Sequence, residues 1–230
     1  MKRGARIWVT RTLPGADATA AHLKALGYQP VVQPLLEVVR IAGAFGHAPA
    51  PHTIACIALT SPNAVDAICD HIAEYIDIPA YCVGDTTARA AATAGFKEVY
   101  SAAGDIHALA ELIAANVLPG LVFAPGAEQP AGNLPALLPD HQVLRLPVYQ
   151  TVQTRVAIPE AVDATLVHSP RAGQALAESL QSNPLPMAIV AISQAAARPF
   201  SGVPGLNVTV ADHPNEEAML KALGNSGLAV

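Results

Sequence analysis

Several short turns in this chain carry hydroxyls, glycines or charge where an apolar run gives way to a helical pattern. Thr60-Ser61-Pro62-Asn63-Ala64 and His168-Ser169-Pro170-Arg171-Ala172 read as two copies of one turn. In each, Ser suits the helix N-cap, and Pro suits the first helical position, where a missing N–H costs nothing. Two such N-termini would offer amides and positive partial charge to an anion. Plain capping explains a single copy as well; a pair, one in each lobe, is what points to a ligand. The turn Val83-Gly84-Asp85-Thr86-Thr87-Ala88 follows the same plan. Gly84 permits close backbone approach, and Thr87 offers a hydroxyl to a carboxylate or to its own helix. Thr10 and Arg11 add a hydroxyl and a guanidinium just past the first apolar run. Arg11 suits bidentate capture of a carboxylate, with surface solvation as the plainer role. Tyr149 is expected at a cleft wall, where ring packing is the ordinary role of a tyrosine.

The elements behind these turns form a repeating pattern of short apolar run, turn and helix. Arg6 to Val9 leads into TRTLPGAD and an Ala-rich helix ending at Gly27, with a second strand over Tyr28 to Val32. Thr53 to Leu59, Tyr81 to Val83, Leu121 to Phe123, Ala164 to Val167 and Met187 to Ile192 each introduce a further unit. Such alternation predicts an α/β fold with parallel sheets and crossover helices. Six units overfill one small sheet and suit two flavodoxin-like lobes.

Two β-prone segments break the pattern, Pro34 to Ile41 and Leu144 to Val152. Neither runs straight into a helix, and they bracket one block of the chain. They are read as paired connector strands, about 34–41 and 144–152. Lobe 1 then comprises residues 1–36 and 153–230, and lobe 2, inserted, comprises 42–147. Gly43 to His52 and Gln153 to Pro159 are loops leaving the connectors. The ligand belongs in the cleft between the lobes, at the carboxyl ends of the strands.

Composition narrows the function classes. Apolar residues make up 52% and charged ones 13%, so a large core is available. A net charge of −5 opposes nucleic acid as a partner, and any anion must be captured by local features. The longest apolar runs are strand-sized, which excludes a membrane span, and the N-terminus lacks a signal peptide's apolar stretch. These points predict a cytoplasmic protein. Cys56, Cys69 and Cys82 are expected as buried free thiols, and the dispersed histidines predict no metal site. Trp8 is expected in the core, and Glu37 and Arg40 on a solvated face. No G-x-G-x-x-G and no P-loop ending occurs, and aromatics to stack on a flavin are few, which counts against a nucleotide or flavin protein.

Taken together, the turns resemble those of the uroporphyrinogen-III synthase family. The matching stretches are VTRTLPGADATAAHLKALGYQPVVQPLLEV, LTSPNAV, VGDTTARAAATAGF, LPVYQT, HSPRAG and HPNEEAMLKAL, in the family's order. The resemblance implies two α/β lobes joined by a two-stranded ladder. It also implies a cofactor-independent lyase that closes hydroxymethylbilane, a linear tetrapyrrole with eight carboxylates, with inversion of ring D and loss of water. Positions carried over are Thr10, Arg11, Ser61, Asn63, Gly84, Thr87 and Ser169 for substrate binding. Tyr149, matching the tyrosine of VYxT, is the candidate catalytic proton donor. Where the family repeats its Gly-x-x-Thr-Ala turn, this chain has Ser193 for the glycine and Ala196 for the threonine. Ser193 is retained as a substrate-binding candidate. A monomer is expected, with contact to the preceding enzyme of the pathway left open. The rival reading is a non-catalytic two-lobed anion-binding or sensor domain.

Overall fold

A computed structural model of the 230-residue chain describes residues 4–182 and 186–225. The chain forms two compact units, Met1–Glu37 with Val152–Val230, and Val38–Thr151. The first opens with β1 (Arg6–Val9), α1 (Gly15–Ala25) and β2 (Gln29–Val32). Next, β3 (Leu36–Arg40) carries the chain into the second unit, which contains β4 (Ile54–Leu59), α2 (Pro62–Ile68), α3 (Ile72–Tyr75), β5 (Ala80–Cys82) and α4 (Asp85–Ala94). That unit continues with β6 (Val99–Ser101), α5 (Ile106–Asn116), β7 (Leu121–Ala127), α6 (Leu134–Leu137) and β8 (Gln142–Gln153). The first unit is completed by β9 (Ala164–Val167), α7 (Pro170–Ser182), β10 (Met187–Ala191), α8 (Gln194–Ala197), β11 (Leu206–Val210) and α9 (Glu216–Gly224). Mixed α/β with parallel sheets is therefore the fold class.

Local chemistry accounts for the boundaries. Helix α1 ends where Gly27 takes φ +88°, a conformation open to glycine, and the Tyr28 amide returns to the Leu23 carbonyl at 3.0 Å. Helix α5 starts at Asp105, whose carboxylate accepts from the amides of His107 and Ala108 at 2.9 and 3.1 Å. The segment 43–52, expected as plain loop, includes short 3₁₀ turns at Ala44–His47 and Pro51–Thr53.

In the first unit the strand order is β11-β10-β9-β1-β2, with every ladder parallel. Counted along this unit's own strands, that is a 2-1-3-4-5 sheet. In the second unit the order is β3-β8-β7-β4-β5-β6, and β8-β7-β4-β5-β6 are joined by parallel ladders. These five strands form a 3-2-1-4-5 arrangement. The two units thus share their layers but not their strand order. The two segments read as paired connectors contain β3 and most of β8, which are neighbours in the second sheet, where the 12-residue β8 also pairs in parallel with β7.

Each sheet is covered on both faces, so its strands read as near-continuous apolar runs. In the first unit α1 and α9 pack on one face, through Ala16, Leu23, Met219 and Leu223. Helices α7 and α8 cover the other, through Ala172, Leu176, Leu180 and Ala196. In the second unit α2 and α4 lie over one face and α5 and α6 over the other. Trp8 is fully buried, and its indole N–H donates to the Gln33 carbonyl at 2.8 Å. Cys56 and Cys82 are buried, and burial pushes both thiols up to about 12. Cys69, expected to be buried, is instead exposed. It follows Ile68, the end of α2, and its thiol turns back to the Val65 carbonyl at 3.5 Å. Arg40 is exposed as expected but paired, at 3.0 Å with Asp66 and 2.9 Å with Asp70.

Candidate functional site

A parallel sheet places the loops after all its strands along one edge, and these loops part where neighbouring strands send their helices to opposite faces. In the first unit that switch lies between β1, followed by α1, and β9, followed by α7. Thr10 and Arg11 follow β1, and His168 and Ser169 follow β9. In the second unit the switch lies between β4 and β7. Thr60, Ser61 and Asn63 follow β4, while Gly126 lies near the end of β7, where an added Cβ would come 4.0 Å from the Thr60 hydroxyl. Gly84 and Thr87 follow β5, Ser193 follows β10, and Tyr149 lies in the last part of β8. The nine candidates therefore divide between two carboxyl edges, one per unit.

Burial alters what several of them have to offer. Thr10 is fully buried, and its hydroxyl donates to the Leu166 carbonyl at 2.7 Å, tying β1 to β9 across the switch. Ser61 accepts from the Asn63 amide at 3.1 Å, and Ser169 from the Ala172 amide at 3.1 Å. The backbone takes further amides, since Ala64 donates to Ser61 O and Gly173 to Ser169 O. With Pro at the first position, these two N-termini consume much of their own donor capacity. Ser193 likewise caps α8, accepting from Ala196 at 3.3 Å.

The Gly84 turn is built differently. Gly84 is the N-cap of α4 and has no side chain to spend, so the amides of Asp85, Thr86 and Thr87 make no hydrogen bond among the described residues. Only at Ala88 does the helix ladder begin, with its amide donating to Gly84 O at 3.0 Å. Thr87 is buried at the third position of α4, so capping is not its role. Asp85 is held by the Ser101 hydroxyl at 2.7 Å.

Tyr149 owes its position to a β-bulge. The β7–β8 register shifts between Gly126, opposite Pro147, and Ala127, opposite Tyr149. The extra residue breaks the alternation of faces, so the adjacent Val148 and Tyr149 both join the same apolar cluster. Tyr149 is 7% exposed, and its phenol has no hydrogen-bond partner among the described residues.

Arg11 sits in a polar cluster that sequence reasoning missed. Its Nη1 donates to Glu216 Oε2 at 2.8 Å and to the Thr19 hydroxyl at 3.4 Å. Glu216 Oε1 lies 3.3 Å from His22 Nδ1. The His168 side chain is 6% exposed, and neither ring nitrogen has a hydrogen-bond partner; Nε2 lies 4.0 Å from Glu216 Oε2. Burial, reinforced by the Arg11 cation and only partly offset by Glu216, lowers the His168 pKa to about 4. The imidazole is therefore neutral at pH 7. A usable signal existed in the resemblance stretches, because HSPRAG and HPNEEAMLKAL contain His168 and Glu216. Among the described residues no group of His, Cys, Asp and Glu is arranged to hold a metal ion. No helix is long and apolar enough to cross a membrane, again among the described residues.

The family model for uroporphyrinogen-III synthase HemD matches residues 17–221. Among solved structures, the chain is similar to a mutant uroporphyrinogen III synthase from the extremely thermophilic bacterium Thermus thermophilus. Identity is 16% and the TM-score 0.55, over 96% of this chain and 98% of that one. A wild-type form from the same organism matches at 15% identity and a TM-score of 0.47, covering 98% of this chain and 90% of the other. No curated protein gives a significant match. At this identity the first likeness is one of fold, and the family model carries the assignment.

Proposed function

The chain belongs to the uroporphyrinogen-III synthase family, lyases of porphyrin biosynthesis, and we propose how its own residues serve that reaction. Carboxylates of hydroxymethylbilane are received at the carboxyl edges of the two sheets. Arg11 receives one in the first unit, and the amides of Asp85, Thr86 and Thr87 receive one in the second. Ser61, Asn63, Ser169 and Ser193 shape the neighbouring turns, and Thr10 holds the first switch point together. Tyr149 donates a proton to the departing hydroxyl. The observation that carries this reading is the coincidence of the turn residues with the carboxyl edges, where open α/β sheets receive ligands.

The chemistry asks little of side chains. Loss of the hydroxyl is driven by the adjacent pyrrole, whose nitrogen lone pair stabilises the cation left behind. Free in solution, the chain of pyrroles closes to the type I isomer. The protein must hold ring D so that its substituted carbon attacks first, giving a spiro intermediate that fragments and recloses inverted. Positioning of this kind contributes up to roughly 7–11 kcal/mol, and a proton donor on the order of 10²–10⁴-fold. Phenols keep their proton at neutral pH, and the Tyr149 hydroxyl is not committed to another described residue. The same reading takes the protein to be a cytoplasmic monomer; free Cys56, Cys69 and Cys82 suit a reducing compartment.

The test is a direct assay with freshly prepared hydroxymethylbilane and no added metal or cofactor, with oxidised products separated by chromatography. Type III isomer is the expected product. Type I alone, at the rate seen without protein, overturns the reading. Tyr149→Phe is expected to lose roughly 10- to 1000-fold in turnover while keeping type III specificity. A folded variant with full turnover would reduce the ring to packing.

A further inference from the structure

We propose that Glu216 is a positioning residue for Arg11, fixing the guanidinium so that its Nε–Nη2 edge receives a substrate carboxylate; this rests on the family reading above. Only Nη1 is engaged, by Glu216 and Thr19; Nε and Nη2 have no partner among the described residues. The guanidinium lies over Gly15, the first residue of α1, where an added Cβ would come within 2.6 Å of Nε and 2.7 Å of Nη2. Glu216 holds Nη1, and the Nε–Nη2 edge passes over Gly15 with no hydrogen-bond partner among the described residues. That edge has the two-donor geometry that matches a carboxylate.

The clamp is itself anchored. Glu216 is the first residue of α9, whose cap Asn215 accepts from the Ala218 amide at 2.9 Å, and its second oxygen meets His22. A rival role is competition, in which Glu216 neutralises Arg11 and lowers its attraction for substrate. The Arg11 and Glu216 side chains are 35% and 24% exposed, so their mutual Coulomb attraction is partly screened. Screening does not relieve the entropy lost when a long, unclamped arginine must be ordered on binding. Positioning therefore outweighs neutralisation.

Steady-state kinetics with hydroxymethylbilane tests this. Glu216→Ala is expected to raise KM about tenfold, the loss of roughly one well-aligned charge-assisted hydrogen bond, with kcat within about twofold. Glu216→Gln, which keeps an acceptor for Nη1, should recover part of the loss. In an Arg11→Ala background, Glu216→Ala should add nothing to KM, because the clamp then has nothing to hold. Gly15→Ala supplies a second route, since the three atoms nearest its methyl all belong to the Arg11 guanidinium, which must shift from its clamped place. It should raise KM without lowering the thermal midpoint, and it remains informative if Glu216→Ala does not fold. An unchanged or lowered KM in Glu216→Ala or Gly15→Ala overturns the proposal, as does a full additive effect in the double variant. Failure of the parent protein to make type III isomer would instead sink the proposed function.

Discussion

At the scale of single residues, His168 is the group whose protonation the fold resists. Arg11 faces it from the loop after β1 and Glu216 from α9, with His22 of α1 on the far side of that carboxylate. The folded protein holds its pKa near 4, against an ordinary 6.5. Below pH 6.5 the unfolded chain therefore takes up a proton that the folded chain refuses until about pH 4. Stability contributed by the neutral ring is full above pH 6.5 and declines as pH falls through that window. At one pKa step per roughly 1.4 kcal/mol, the full loss is on the order of 3 kcal/mol. His168→Phe keeps an aromatic ring and breaks no hydrogen bond, because neither nitrogen makes one. Thermal midpoints at pH 7.5 and 5 are expected to differ less in the variant than in the parent, with the pH 7.5 value unchanged or raised. An equal drop in both would show that other groups carry the acid sensitivity. In the sequence His168 was legible only as the first letter of a repeated turn, in the place Thr60 holds in the other copy. Its burial follows from the α1 and α9 packing, which no local pattern announces.

At the scale of elements, the turns were recognisable but their donor accounting was not. Ser-Pro turns look like anion sites in sequence, yet Ser61 and Ser169 each accept an amide of their own helix. The glycine-capped α4 keeps three amides unspent. Gly84 has φ −163°, an extended backbone that any residue adopts, and a Cβ there would meet nothing nearer than Gly104 O at 4.0 Å. Gly84→Val is thus expected to fold normally. A valine beside those amides should weaken product binding by about tenfold or more, the cost of losing charge-assisted contacts. Ser61→Ala and Ser169→Ala should lose on the order of 1 kcal/mol of stability through their caps and much less affinity. Calorimetric titration with uroporphyrinogen III separates the cases. Unchanged affinity in Gly84→Val would remove the α4 turn from the site. Other elements escaped sequence reading for plain reasons: β6 has three residues, and β11 sits in a Pro- and Gly-rich stretch. Helix α5 was missed even though Asp105 marks its start.

For the whole molecule, the alternation of strand, turn and helix predicts parallel α/β sheets, and that is the fold. Strand order was not legible, because it depends on which face each crossover helix chooses, and here the two sheets choose differently. That choice sets the switch points, and in the first unit it brings Thr10 and Arg11 after β1 beside Ser169 after β9. Net charge gives the last prediction. A chain at −5 repels a polyanionic substrate at long range, so capture must come from short-range donors such as Arg11 and the α4 amides. These two effects respond to salt in different ranges. The screening length is about 30 Å at 0.01 M and about 10 Å at 0.1 M. Potassium chloride over this range should therefore remove the repulsion while leaving contacts at hydrogen-bond distance largely intact. kcat/KM is expected to stay flat or rise up to about 0.1 M, then to fall towards 1 M, where screening reaches about 3 Å. Chloride is the counter-ion of choice, since acetate would compete for the carboxylate sites. A steep fall from the lowest salt onward would mean that a positive region steers the substrate, and local capture would have to be abandoned.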